Sequence, residues 1–170
     1  MNLSEKIRAI PNFPKEGIIF RDITTLLVDS QAFAAAVHTM YEPFQKEKID
    51  LVVATEARGF IFGAPIAVKA GCGFVPVRKP GKLPASVEAV EYALEYGTDK
   101  VEIHADAIQA GQRVLIVDDL LATGGTISAT AKLVEKLGGK IVGISFLIEL
   151  SELKGRERLK PHHVNAVIVY

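Results

Sequence analysis

The sequence predicts an α/β protein built on a mostly parallel central sheet flanked by helices. Three observations carry this expectation. Short apolar runs alternate with helical patterns along most of the chain, and one segment shows the two-residue alternation of an antiparallel hairpin. A length of 170 residues at 49% hydrophobic composition suffices for one well-buried core and falls short of two ordinary domains, so a single domain over residues 1–170 is expected.

The elements follow in order. Asn2 with Glu5 reads as a capping pair, and Leu3, Ile7 and Ile10 share a helical face, which predicts a short first helix ending before Pro11 and Pro14. From Gln31 to about Lys48, Phe33, Val37, Met40, Tyr41 and Phe44 recur on one helix face, with Pro43 kinking or fraying it. Leu51 to Thr55 reads as a strand, followed by a helix from about Phe60 and a strand from Phe74 to Val77. Cys72, between Gly71 and Gly73, reads as a small buried residue rather than a reactive thiol. Arg78 to Pro84 holds three cations, a glycine and two prolines, a composition for a mobile cationic loop. Val90, Tyr92, Leu94 and Tyr96 then alternate with polar or small residues, and after Gly97-Thr98-Asp99 the alternation resumes at Val101 and Ile103, the pattern of a hairpin. Val114 to Val117, a helix from Thr126, and Ile141 to Ile148 complete the alternation.

Charge and cysteine content narrow the function. Twenty Lys and Arg balance twenty Asp and Glu, so no overall positive field draws the chain to nucleic acid or an anionic membrane, and phosphate binding must come from local groups. A single cysteine allows no disulfide within the chain and suits a reducing cytoplasm. Glu5, Lys6 and Arg8 leave no apolar signal core, and Pro, Gly or charge interrupts every longer apolar run, so neither export nor membrane insertion is expected.

The chemistry concentrates in Val114-Leu115-Ile116-Val117-Asp118-Asp119-Leu120-Leu121-Ala122-Thr123-Gly124-Gly125-Thr126. A buried strand runs into two acids, a glycine turn and a helix, and ligands of open parallel sheets bind outside the carboxyl ends of strands. The turn offers unobstructed backbone N–H groups, two hydroxyls and the positive end of a helix dipole, the parts of a phosphate cradle. No Lys follows the second glycine, so this is not the nucleotide-binding P-loop. Two carboxylates would repel the phosphate unless they hold something else, and vicinal hydroxyls or a hydrated Mg²⁺ are the candidates. A ribose bearing a 5′-phosphate matches both halves.

This stretch resembles the phosphoribosyl pyrophosphate (PRPP) signature of type I phosphoribosyltransferases, in the wording of their adenine-specific branch. Asn12-Phe13-Pro14, Gly17, Phe20-Arg21-Asp22, Glu56-Ala57-Arg58-Gly59-Phe60, Arg78 to Pro84, Leu94-Glu95-Tyr96-Gly97 and Lys154-Gly155-Arg156 are similar to that family too, in order along nearly the whole chain. The resemblance implies the type I phosphoribosyltransferase fold, with a small N-terminal hood over about residues 1–30 and a flexible-loop hairpin. It implies that Ala122, Thr123, Gly124, Gly125 and Thr126 hold the 5′-phosphate, and that Asp118 and Asp119 take the ribose hydroxyls. Glu56, Ala57 and Arg58 form the family's pyrophosphate loop, which can contain a non-proline cis peptide; taken alone, Arg58 is an ordinary ion-pair arginine. Arg78, Lys79 and Lys82 belong to a loop that closes over PRPP and meet pyrophosphate. The Phe20-Arg21 segment contributes to the adenine pocket, and Glu95, on the strand face opposite Tyr96, swings in to the base as the catalytic carboxylate. The implied reaction is adenine plus PRPP giving AMP and pyrophosphate, with Mg²⁺ carried by PRPP, in a homodimeric enzyme of purine salvage.

Three rivals compete. A 6-oxopurine phosphoribosyltransferase usually carries Asp where this chain has Ala122. A PRPP-sensing transcriptional regulator needs a DNA-binding module that the short N-terminal helix and zero net charge do not supply. A metal enzyme using His162 and His163 is disfavoured because neighbours on one strand point to opposite faces.

Overall fold

Residues 1–170 are all described by the computed structural model, in which the chain forms two compact units, residues 1–39 and 40–170. In the first unit Asn2 caps as its sequence suggested, accepting from the Ser4 N–H at 3.2 Å and donating to Glu5 Oε1 at 2.8 Å. The helix it caps is a single 3-10 turn, Leu3–Lys6, and the chain then extends into β1 (Arg8–Pro11). This corrects the expected helix through Ile10. Pro11 lacks a donor and holds the residue before it in extended backbone, so the chain has no room for a second helical turn.

β1 pairs antiparallel with β2 (Ile19–Asp22), and the Phe13 and Phe20 rings meet edge-to-face at 5.2 Å. Asp22 closes the ribbon: Thr24 donates to it from its hydroxyl at 2.7 Å and its backbone N–H at 2.9 Å, and Arg8 from Nε at 3.0 Å. These donors favour the ionised carboxyl and lower its pKa to about 2. After α1 (Thr24–Leu27), Asp29 accepts from the N–H groups of Gln31 and Ala32 and so caps α2 (Ser30–Tyr41). α2 ends short of the expected Lys48, because Pro43 has no N–H for the ladder and Glu42–Phe44 tightens into a 3-10 turn. Its buried positions are Ala32, Ala36, Val37 and Met40, with Phe33 and Tyr41 half-buried.

The second unit holds a five-stranded sheet in the order β4-β3-β7-β8-β9, formed by Gly73–Val77, Leu51–Thr55, Arg113–Leu121, Lys140–Glu149 and Val164–Val169, with every neighbouring pair parallel. α3 (Arg58–Ala70) connects β3 to β4, and α4 (Gly125–Lys136) connects β7 to β8. The inner strands read as continuous apolar runs because both faces are covered: Val52, Val53, Val114, Leu115, Ile116 and Val117 are all fully buried. Burying each such side chain contributes about 1.5–3 kcal/mol. Gly143 on β8 makes room for Phe44, since a Cβ there would lie 2.1 Å from the ring.

The alternating segment forms a separate two-stranded ribbon, β5 (Val87–Ala93) with β6 (Thr98–His104), whose inner residues Val101 and Ile103 join the core beside α4. No helix is long and apolar enough to cross a membrane. Cys72 is half-buried rather than buried, with its thiol pKa pushed up by burial. His162 and His163 lie before β9 and not on it: His162 meets Glu135 at 3.4 Å and His163 packs against the Phe44 ring at 5.2 Å. The argument from opposite strand faces therefore does not apply to them, although each has a partner that accounts for its position.

Candidate active site

From β3 the chain crosses to β4 on one side, while β7, on the other side of β3, feeds β8 and β9. Neighbouring strands that send their connections apart leave a crevice at their carboxyl ends, the usual ligand position in open α/β sheets. The β3–β7 ladder ends at the pair Ala54 and Val117. The next residues on either side are Thr55-Glu56-Ala57-Arg58 and Asp118-Asp119, so the sheet register alone brings two separate sequence motifs to one place.

The two acids sit side by side at the end of β7, with their side chains in hydrogen-bonding contact. Asp119 is buried and accepts from Arg58 Nε at 2.8 Å, which ties the β3 motif to the β7 motif. Asp118 lies against the start of α3, where a Cβ on Gly59 would come within 2.7 Å of its Oδ1, so only glycine permits this approach. Burial raises the pKa of both carboxyls; the negative neighbour Asp119 adds to the rise at Asp118, while the Arg58 guanidinium opposes it at Asp119. Carboxyls held under such conditions gain from hydroxyl donors or positive charge brought by a ligand.

Beyond the acids the turn closes into a cradle. Gly124 adopts the left-handed conformation (φ 83°) and heads α4 with no side-chain cap, so the first N–H groups of the helix stay open to a ligand. Asp118 and the residues from Leu120 to Ile127 line a cavity of about 100 Å³. A second, larger cleft of about 530 Å³ is lined by Tyr92, Ala93, Leu94, Glu95, Thr123, Gly125, Thr126 and Arg158. Glu95 and the cradle thus share one cavity, a juxtaposition that sequence separation hides. Glu95 is exposed in the turn Leu94–Gly97, where the Leu94 N–H donates to the Gly97 carbonyl at 3.0 Å. It is therefore not on the strand as expected, because pairing stops at Ala93 and Thr98.

The cationic segment is anchored at its start. Arg78 Nε donates to Glu56 Oε1 at 3.0 Å, and the Lys79 N–H donates to the same oxygen at 2.7 Å. The Lys79 N–H, with Arg78 and Lys82 nearby, holds the Glu56 carboxyl below its usual pKa against the effect of burial. The Glu56–Ala57 peptide is cis. Lys79 also pairs with Asp99 and donates to the Tyr92 hydroxyl at 3.1 Å, while Lys82 is exposed. Tyr92, which sequence reasoning treated only as part of an alternation, receives a second hydrogen bond from the Thr126 hydroxyl at 3.1 Å and links the hairpin to the cradle. Phe20 and Arg21 stand on β2 in residues 1–39, both half-buried.

Two further residues were missed. Gly155 opens a 3-10 helix, Gly155–Leu159, that presses on the cradle so closely that a Cβ would lie 2.4 Å from the Ala122 carbonyl. Arg158, from the same helix, lines the cleft beside Glu95. The Lys154-Gly155-Arg156 motif was the only available signal for this neighbourhood, and it does not show what the glycine touches.

No group of three or more His, Cys, Asp or Glu side chains gathers to hold a metal ion. The oxygen donors present, the vicinal Asp118 and Asp119, fit a divalent ion such as Mg²⁺ that keeps water and ligand phosphate oxygens as most of its shell.

Comparison with known proteins identifies the family. The family model of the phosphoribosyl transferase domain matches residues 24–169. The adenine phosphoribosyltransferase of Alkaliphilus metalliredigens is 59% identical over 170 residues, all of both chains. The crystal structure of adenine phosphoribosyltransferase from Thermoanaerobacter pseudethanolicus superposes with a TM-score of 0.96 at 55% identity, covering 99% of this chain and 98% of that one. The Saccharomyces cerevisiae adenine phosphoribosyltransferase, solved with adenine and an imino-altritol bisphosphate, superposes with a TM-score of 0.92 at 41% identity, covering 97% and 96%. The chain belongs to the phosphoribosyltransferases and, within them, to the adenine phosphoribosyltransferase family of pentosyl-transferring enzymes.

Proposed function

We propose that the protein transfers the phosphoribosyl group of PRPP to N9 of adenine, forming AMP and releasing pyrophosphate in purine salvage. The observation that carries this reading is the meeting, at the carboxyl ends of adjacent strands, of an acid pair, an uncapped glycine turn and Arg58, with Glu95 lining the same cleft as the turn.

On this reading Thr123 to Thr126, with the Ala122 backbone, hold the 5′-phosphate, while Asp118 and Asp119 orient the ribose. The pyrophosphate faces Arg58 and the Glu56-Ala57 backbone, with Arg78, Lys79 and Lys82 as the nearby cations. When bound with PRPP, Mg²⁺ would lie near Asp118 and Asp119 and supply charge neutralisation for the departing pyrophosphate. Positive charge builds on the sugar as pyrophosphate leaves, and fixed cations aimed at the leaving group stabilise that separation. Adenine attacks the anomeric carbon from the opposite face, so the protein must fix both reactants in line. Glu95 handles the proton balance of the base, and Phe20 and Arg21 are assigned to adenine from the family pattern. We assign the protein to a homodimer on the same family grounds, and to the cytoplasm because a single cysteine suits a reducing compartment.

The test supplies PRPP and Mg²⁺ with adenine, hypoxanthine, guanine or xanthine in separate reactions. AMP formation far above IMP, GMP and XMP is expected. Preference for an oxo-purine would overturn the reading of Ala122, and PRPP binding without product would favour a sensor.

A further inference from the structure

Arg158 is the one cation that lines the cleft shared by Thr123, Gly125, Thr126 and Glu95. Its Nη1 lies 3.6 Å from where a Cβ on Gly125 would stand, at the first residue of α4. The neighbours of Arg158 in the 3-10 helix are committed elsewhere. Arg156 Nε donates to both Glu149 carboxylate oxygens at 2.8 Å, Glu157 pairs with Lys160 at 2.6 Å, and the Leu159 side chain is buried. Gly155 seats the helix against the Ala122 carbonyl. Arg158 itself forms no ion pair. Glu95, the one carboxylate on this cleft, does not pair with it, and Glu135, across a neighbouring cleft that Arg158 also borders, is engaged with His162 at 3.4 Å.

A guanidinium held on a seated helix, with no carboxylate partner, beside a cradle otherwise built of neutral donors supplies the charge that a phosphate dianion lacks there. Backbone N–H groups and hydroxyls position phosphate oxygens, and a guanidinium adds charge-assisted hydrogen bonds with a planar fork. We propose that Arg158 is a substrate-binding residue that contacts the 5′-phosphate of PRPP and AMP. The inference rests on the reading of residues 123–126 as the 5′-phosphate cradle.

The test is equilibrium binding of AMP and of adenosine, which lacks the phosphate, to wild type and to the Arg158→Ala, Arg158→Lys and Thr123→Ala variants, with thermal denaturation of each. Arg158→Ala should weaken AMP binding about ten- to a hundredfold, as expected for loss of a hydrogen bond to a charged group. It should leave adenosine binding within about twofold and the melting temperature unchanged, since the side chain has no partner in the fold. Arg158→Lys should restore part of the loss, because it keeps the charge without the fork. If Thr123→Ala weakens AMP binding while Arg158→Ala does not, the Arg158 proposal is overturned and the cradle stands. If neither change alters AMP binding, the cradle reading falls and the proposal with it. Equal weakening of AMP and adenosine by Arg158→Ala would also overturn the phosphate assignment.

Discussion

Gly155→Ala isolates the contact between the 3-10 helix and the glycine turn before α4. The backbone at Gly155 is not left-handed, so alanine carries no conformational penalty there and any effect is steric. The new Cβ would lie 2.4 Å from the Ala122 carbonyl oxygen and 2.7 Å from Leu121 Cδ1, whereas ordinary contact begins at 3.4 Å, so the two segments must part by about 1 Å. The obstructing oxygen is backbone and cannot rotate away, and overpacking of this kind costs about 1–3 kcal/mol. For a chain of this size the melting temperature should fall by about 2–12 °C. The displaced residue heads the cradle, and a shift of about 1 Å at a reacting centre can cost on the order of a hundredfold in rate, so kcat/KM for PRPP should fall well beyond the loss in stability. The assay is steady-state AMP formation with varied PRPP at saturating adenine, at a temperature where both proteins are folded. Gly71→Ala is the control: at φ 68° with nothing within 4 Å, it should destabilise by about 1–2 kcal/mol through backbone strain and leave the kinetics intact. Native kcat/KM for PRPP in Gly155→Ala would refute the reasoning that this contact shapes the cradle.

Asp118→Asn should lower kcat/KM for PRPP by about tenfold or more, while Glu135→Gln should have little effect; equal small effects would remove Asp118 from the ribose role. The same substitution should stabilise the fold near neutrality. The Asp118 pKa is raised on folding, so its contribution to stability is fully present below the ordinary carboxylate value of 3.8 and is lost as pH rises through the folded value. Melting temperatures of Asp118→Asn and wild type should therefore converge toward acid and separate as pH rises, with the variant higher; the opposite order would contradict a buried, repelled carboxyl. Glu95→Gln should reduce kcat by about a hundred- to ten-thousandfold, with unchanged thermal stability because the side chain is exposed in a turn. Near-native turnover with chemistry still the slow step would remove the proton role from Glu95.

Much of this protein could be read from residue order. The apolar run Val114 to Val117, the acids and the glycine turn that follow it, and the alternation around Val90 to Ile103 are local patterns, and each specifies its own element because backbone periodicity depends on nearby side chains. Pro43 and Pro11 misled only in extent, since how far a helix runs before a proline depends on competing local hydrogen bonds and tertiary contacts. What residue order could not provide was the meeting of segments distant along the chain. The Arg58–Asp119 pair follows from the parallel register of β3 and β7, the joint hydrogen bonding of Lys79, Tyr92 and Thr126 from packing of the hairpin on α4, and the contact of Gly155 with Ala122 from the return of the chain after β8. The position of Arg158 arises in the same way. These contacts are decided by how layers stack and where strands pair, quantities set by the whole core, so only the tertiary structure shows that an acid pair, a glycine turn and a carboxylate on a hairpin turn border the same crevice and its adjoining cleft.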